Sequence, residues 1–387
     1  MATFCSLFSQ ILNTIPRGRF EQLARRHGSE RHARGFTSWQ QLVAMLFCHL
    51  AKAQSLREIE HGLRSAEGKL SHLGIDAPCR STLAYANAHR PWQLYESVFY
   101  QLLADLDALR PRRHRLRFRN PLFSIDSTTV ELVSEMFAWA KYNTTKGAIK
   151  LHLMLDHAGL LPTYAVVTDG HVGDITVGRR LLFESGSVVV FDRGYVDYEW
   201  FRALDAGGVW FVTRLKSNAH FRVVEERALP SNRGVLHDQI VDVIHVRRSR
   251  YGRSSTVRLR RVEVLDPQGG PNLVFFTNHM SFAATTISRI YKDRWQIELF
   301  FKALKQNLKI KTFIGTSANA LHIQLWTALT AMLLIRFLKL KSQCSLSLSN
   351  VFAMLRFHLF SHRDLWTWLQ TPFDPPDRPS PTQLQLV

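Results

Sequence analysis

The feature that most limits the folds open to this chain is a change of hydrophobic period near residue 110. From Phe4 to about Leu109 apolar residues recur at three- and four-residue steps, as in Leu42, Met45, Leu46 and Leu50 and again in Trp92, Tyr95, Phe99 and Leu102. That is the spacing of helices with one buried stripe. Gly28, Gly35, Gly74 and Pro78 cut the stretch into short helices, and no heptad persists, so a compact bundle is expected rather than a coiled coil. Beyond Arg119 the apolar residues come in short runs instead. Pro121 to Leu132, Ile149 to Asp156, Leu161 to Val167, Ser187 to Asp192 and Val209 to Leu215 read as strands, and Asp174 to Glu184 and Tyr198 to Leu204 as helices. Three meandering strands, the second and third joined at His157-Ala158-Gly159, followed by alternating helix and strand predict an α/β fold with a mixed sheet.

From Lys216 to Ala284 the helical signal lapses. Val241 to Val246 and Ser255 to Val264 read as strands around the turn Tyr251-Gly252-Arg253, and Leu273 to Thr277 closes the segment. With Arg247, Arg248, Arg250, Arg253, Arg258, Arg260 and Arg261 it predicts a β-rich insertion whose basic face would suit a nucleic-acid backbone. Thr285 to Leu308 is strongly helical, and the proline-rich tail from Thr371 reads as disordered. The expected layout is a helical N-terminal DNA-binding domain over 1–109, a first catalytic part over 110–215, the insertion over 216–284, a second catalytic part over 285–345 and a C-terminal segment over 346–387. The run RPRRHRLRFR at 110–119 reads as a linker turning into a strand, with phosphate contact left open.

Composition narrows the partner. Fifty Lys+Arg against thirty-one Asp+Glu leave a net charge of +19, which on a globular chain calls for a polyanion: nucleic acid or an anionic membrane surface. The most apolar stretch, Leu321 to Phe337, carries His322, Gln324, Thr327, Thr330 and Arg336, so it reads as a buried helix and not a span. Met1 to Ile15 lacks a basic leader region, and no signal peptide is expected. Cys5, Cys48, Cys79 and Cys344 lie far apart, which suits a reducing cytoplasm and argues against a structural zinc. Among the histidines only His358 and His362 share an HxxxH spacing, with no third ligand beside them.

Chemistry concentrates at three acids. Asp126 follows Leu122-Phe123-Ser124-Ile125 and Asp192 follows Val188-Val189-Val190-Phe191. A carboxylate closing an apolar strand must be paired, hydrogen-bonded or metal-bound, although Asp192, before Arg193-Gly194, also reads as a plain turn residue. The third acid lies in YKDRWQIELFFKALK, where Tyr291, Arg294, Glu298 and Lys305 fall at steps of three, four and seven and share one helical face. Leu299, Phe300 and Leu304 supply the apolar neighbour face, Trp295 and Phe301 read as core, Lys302 as solvated, and Phe275 and Phe276 as weak candidates for a base wedge.

The spacing Y-x2-R-x3-E-x6-K after two aspartates resembles the DDE transposases of the IS4 group. So do SIDSTTVEL around Asp126, KGAIKLHLMLD, VVVFDRGYVD around Asp192, FVTRLKSN, FIGTSANA and, in the helical start, SLREIEHGL and STLAYANAHRPWQLY. In TDGHVGD the family tends to place a histidine before the aspartate, whereas Gly173 precedes Asp174 here, leaving the role of Asp174 open. The resemblance implies a ribonuclease-H-like mixed sheet with an insertion, and Asp126, Asp192 and Glu298 as catalytic residues holding two Mg²⁺ ions, with Mn²⁺ as a substitute. Hard oxygen ligands suit such ions. It implies that Tyr291, Arg294 and Lys305 contact DNA near the cleaved end and help hold a flipped base, that hairpin ends form during cut-and-paste transfer, and that a homodimer works on double-stranded DNA in the cytoplasm. A DNA-binding protein that has lost transposition, and a metal-free carboxylate hydrolase such as a glycosidase, are the competing classes; the second gives no account of the charge.

Overall fold

The computed structural model describes residues 5–31, 33–66, 68–107, 116, 118–132, 141–143, 146–216, 218–231, 234–246, 254–266, 268–308 and 314–374. Most of the basic run 110–119, the turn 251–253 with Arg247, Arg248 and Arg250, and the tail beyond 374 lie outside them. Two compact units emerge. One gathers helices α1 (Leu7–Leu12), α2 (Arg17–Arg26), α3 (Ser38–Ala51), α4 (Leu56–Arg64), α5 (Arg80–His89) and α6 (Gln93–Asp107) with α11 (Ala318–Ser342), α12 (Leu348–His358) and α13 (Leu365–Gln370).

In this helical unit α11 is the central element. It is long and apolar enough to cross a membrane, yet 89% of its most apolar window is buried inside the protein, as expected of a core helix. Thr327, Thr330 and Gln324 each find a backbone partner. The Thr327 and Thr330 hydroxyls donate to the Ile323 and Trp326 carbonyls at 2.7 and 2.9 Å, and Gln324 Oε1 accepts from Ile314 N–H. Trp326 packs against Phe99 of α6, with ring centroids 5.5 Å apart.

The second unit is built on one ten-stranded sheet. Its strands are β1 (Leu122–Leu132), β2 (Lys141–Asn143), β3 (Lys146–Asp156), β4 (Leu161–Asp169), β5 (Val188–Phe191), β6 (Trp210–Thr213), β7 (His220–Glu226), β8 (Val235–Val246), β9 (Ser254–Val264) and β10 (Leu273–Thr277). They run in the order β2-β3-β1-β5-β6-β10-β9-β8-β7, with β4 also on β3. The sheet is mixed, as the periodicity predicts: β1 pairs antiparallel with β3 and parallel with β5, and β5 pairs parallel with β6. All four residues of β5 are buried, as a continuous Val-Val-Val-Phe run between two parallel neighbours should be. Phe191 packs on Phe211 and Trp200, at 5.8 and 4.8 Å between centroids.

Several local expectations change. The strand read into the basic run begins only at Leu122; Leu116 and Phe118 ahead of it are irregular and pack against the apolar cluster. The helix read over 174–184 is α7 (Asp174–Gly178), ending where Gly178 lets the ring of Tyr195 approach a would-be Cβ at 3.0 Å. Residues 220–277 extend the same sheet through β10 and β6. Among the described residues, the three arginines of β9 from the expected basic face are each paired with an acid of the same sheet. Asp242 stands opposite Arg258 in register and takes its Nε at 2.9 Å, Arg261 pairs with Glu263, and Arg260 is buried against Asp238 with two bonds of 2.7 Å.

Candidate active site on the mixed sheet

The parallel ladder of β1 and β5 ends with Ile125 opposite Phe191. The next residue on each strand is an aspartate, so Asp126 and Asp192 leave the sheet as neighbours. Asp126 lies inside β1, whose pairing with β3 continues to Leu132, and not at a strand end. Asp192 does close β5. Its Oδ1 accepts from Gly194 N–H at 2.8 Å, capping a 3-10 turn over Arg193–Tyr195, so the turn role and the site role coincide. Burial first, and then the Asp192 carboxylate, push the Asp126 carboxyl up to about 7, against the Ser127 N–H and Arg294, which pull it down.

Glu298 arrives on α10 (Trp295–Asn307), which follows α9 (Ala284–Asp293). One continuous helix is expected there, but the chain breaks at Arg294, whose N–H donates to both Ile290 O and Tyr291 O. The backbone stays helical through the break, which keeps Tyr291, Arg294 and Glu298 together. Arg294 spans the acids: Nη1 donates to Asp126 Oδ2 at 3.2 Å and Nη2 to Glu298 Oε1 at 2.5 Å. Its Cζ is 5.4 Å from the centre of the Tyr291 ring, which in turn rests 5.0 Å from Phe275. Phe275 and Phe276 are 2% and 4% exposed, so neither is a surface wedge; they support Tyr291 and the sheet core. Trp295 is not core but 56% exposed, whereas Phe301 is buried and Lys302 exposed. Lys305 lies further along α10, in the portion belonging to the helical unit.

A second group of residues stands beside the aspartates; of these the sequence marked only Asp174, with its role open. Asp174, at the start of α7, accepts from Ser127 Oγ at 2.7 Å and from Lys150 Nζ at 3.3 Å, with His152 Nδ1 at 3.7 Å. Ser127 also fixes Asp126, its N–H donating to Oδ1 at 2.8 Å. A Cβ on Gly194 would stand 3.1 Å from both Asp174 Oδ2 and Asp192 Oδ1, so a side chain there would crowd two carboxylates. The buried Tyr195 hydroxyl has no partner among the described residues. A signal for this shell existed: Lys150 and His152 interrupt the apolar alternation of β3 on one face, and Ser127 pairs opposite His152.

The donors suit a hard divalent cation in kind. Two carboxylates with like charge stand side by side, and such a pair is relieved by a cation. Among the described residues no three acidic, His or Cys side chains converge closely enough to hold an ion, because the guanidinium of Arg294 lies between Asp126 and Glu298.

Comparison with known proteins identifies the family. The family model described as Transposase DDE domain matches residues 117–334, more than half of the chain, and a domain of unknown function (DUF4372) matches residues 4–76. A Sinorhizobium fredii protein named "Putative transposase y4zB" is 34% identical, over 79% of this chain and 83% of its own. A Geobacillus stearothermophilus protein named "Probable transposase for insertion sequence element IS5377" is 32% identical over 72% of each chain. A Synechocystis protein named "Putative transposase for insertion sequence element IS4SA" is 21% identical, over 75% of this chain and 80% of its own. A solved piggyBac transposase complex with hairpin DNA covers 96% of this chain and 81% of that one, at a TM-score of 0.42 and 12% identity, too loose a likeness to fix the fold. The extent of the family match and the two relatives above 30% identity make this chain a member of the DDE transposase family.

Proposed function

We propose that the chain is the transposase of an IS4-group insertion sequence, binding the inverted ends of its element, cleaving them by phosphodiester hydrolysis and joining the freed 3′-hydroxyls to target DNA through hairpin ends. The observation that carries this reading is that Asp126 and Asp192 each follow the last registered pair of the β1–β5 ladder, with Asp126 joined to Glu298 through Arg294. A sheet antiparallel on one side of β1 and parallel on the other, with the aspartates at the junction, supports a ribonuclease-H-like catalytic fold made of 110–215 and, of the expected second part 285–345, the stretch up to Phe301, since Lys302 onward belongs to the helical unit. Residues 1–109 are assigned to end binding, 216–284 to a sheet-extending insertion and 346–387 to a C-terminal segment. The working form is a homodimer on double-stranded DNA in the cytoplasm.

In this reading Asp126, Asp192 and Glu298 are the catalytic carboxylates. Two Mg²⁺ ions, with Mn²⁺ as a substitute, would supply activation of the attacking water or 3′-hydroxyl and stabilisation of the leaving oxygen. The Ser127 N–H and the Gly194 N–H hold one oxygen each of Asp126 and Asp192, leaving the second oxygens directed by the side chains around them. Arg294 presents a planar fork matched to two phosphate oxygens. Tyr291 and Lys305 complete the DNA contacts, the ring against an extruded base and the ammonium against the backbone.

Two results are expected. On a labelled duplex carrying an element end, scission should require Mg²⁺ and vanish in EDTA, and Glu298→Gln should bind the end with scission lost; undiminished cleavage by that variant would overturn the assignment. The raised carboxyl of Asp126 predicts proton release on metal uptake. Near pH 6 the free protein holds that proton and should give up about one per site, whereas near pH 8 it should release none. Calorimetry of Mn²⁺ binding in buffers of different ionisation enthalpy measures this, and equal release at both pH values would refute it.

A further inference from the structure

The metal-dependent reading leaves one arrangement unexplained. Arg294 fills the gap between two of the three carboxylates with a side chain only 12% exposed, and each terminal nitrogen is committed to a different acid. Its Nε is buried with no hydrogen-bond partner among the described residues. A buried donor left unpaired is costly, so the guanidinium is not held as a fully satisfied structural group. A guanidinium and a divalent ion drawn to the same carboxylates also repel one another, since both are cations, and so compete for the space between the acids.

We infer that Arg294 is the resident counter-ion of the unloaded site, holding Asp126 and Glu298 together and giving up both when a divalent cation enters. The inference rests on the proposed metal-dependent chemistry and adds to it a coupling. Once released, the fork is free for a DNA phosphate, and the Tyr291 ring 5.4 Å away offers a face on which the guanidinium stays guided as it moves. The break between α9 and α10 falls at Arg294 itself, where a small backbone adjustment redirects the side chain. Metal and DNA would then strengthen one another, because each makes room for the other, and the effect must be reciprocal.

The test is Mn²⁺ affinity of the full chain without DNA, by calorimetry, for wild type, Arg294→Gln, Arg294→Lys and Asp126→Asn. Arg294→Gln should bind about tenfold more tightly than wild type, the scale of one charge-assisted hydrogen bond no longer competed away. Arg294→Lys, with a single ammonium unable to span both acids, should fall between them. Saturating Mn²⁺ should raise the melting temperature of Arg294→Gln by more than that of wild type, which shows in the same experiment that the variant is folded. With element-end DNA bound, the difference between wild type and Arg294→Gln should shrink. If Asp126→Asn weakens Mn²⁺ binding while Arg294→Gln binds no more tightly than wild type, Arg294 is not a counter-ion and the metal reading stands. If Asp126→Asn leaves Mn²⁺ binding unchanged, the metal reading fails and this inference with it.

Discussion

Asp192→Asn should lose metal-dependent strand scission by roughly 10³-fold, the scale of removing one preorganised contact to the reacting groups, while the metal-free protein becomes no less stable. The two halves of that expectation come from one geometry. An asparagine keeps the Oδ1 that caps the turn over Arg193–Tyr195, so the Gly194 N–H retains its acceptor. It removes the negative charge that, after burial, is the largest influence lifting the Asp126 carboxyl. The metal-free site then carries less self-repulsion, and its melting temperature should equal or exceed that of wild type. Measuring scission and thermal unfolding on the same preparation separates a catalytic from a structural aspartate. A clear drop in melting temperature would mean that Asp192 serves the turn and not the chemistry.

The second large effect is expected far from the acids. Asp238→Ala should destabilise the sheet unit by about 3–5 kcal/mol, because it leaves Arg260 buried without its counter-charge. Arg260 is 2% exposed and gives Nε and Nη2 to the two oxygens of Asp238, while Nη1 reaches the carbonyls of Met280 and Phe282. The backbone contacts cannot replace the lost carboxylate. Replacing both partners by apolar residues of similar volume, Asp238→Leu with Arg260→Met, should recover most of the loss, since a buried pair is worth little against good packing. Denaturant unfolding of the two single variants and the double variant tests this. A loss below about 1 kcal/mol for Asp238→Ala would show that water reaches the guanidinium.

What could be read from sequence, and what could not, divides along physical lines. Short apolar runs followed by an acid, LFSID and VVVFD, mark the start of β1 and the whole of β5, although β1 runs on past Asp126 to Leu132 while β5 stops before Asp192. The stripe of Tyr291, Arg294 and Glu298 survives in sequence because helical spacing alone carries it. The break at Arg294 does not, since the residues on both sides keep the same period. β7 is invisible for the opposite reason: all seven of its residues are exposed, so no buried face marks it, and it is held by backbone pairing with β8 and by Phe221 against Phe276. Arg258 and Arg260 read as a basic surface because their acids, Asp242 and Asp238, stand on the neighbouring strand, and register is not written in composition. The shell around Asp174 needed three separate segments to meet, Ser127, Lys150 and the start of α7, and only the fold brings them together.

The hydrogen-bonded register of β1 and β5 has a consequence for how such a protein can diversify. The spacing between the two aspartates is set by four residues in each strand and not by the length of chain connecting them. Loops, extra strands or whole modules inserted between Leu132 and Ser187 leave the pair aligned, provided both ladders still form. Deleting a single residue from Leu122–Ile125 or Val188–Phe191 would instead turn the following carboxylate to the opposite side of the sheet. For the spacing of the aspartate pair, the eight buried or half-buried positions of the two strands are the ones that cannot gain or lose a residue, and the pair travels as a small, self-indexing cassette whose connecting loops are free to change length.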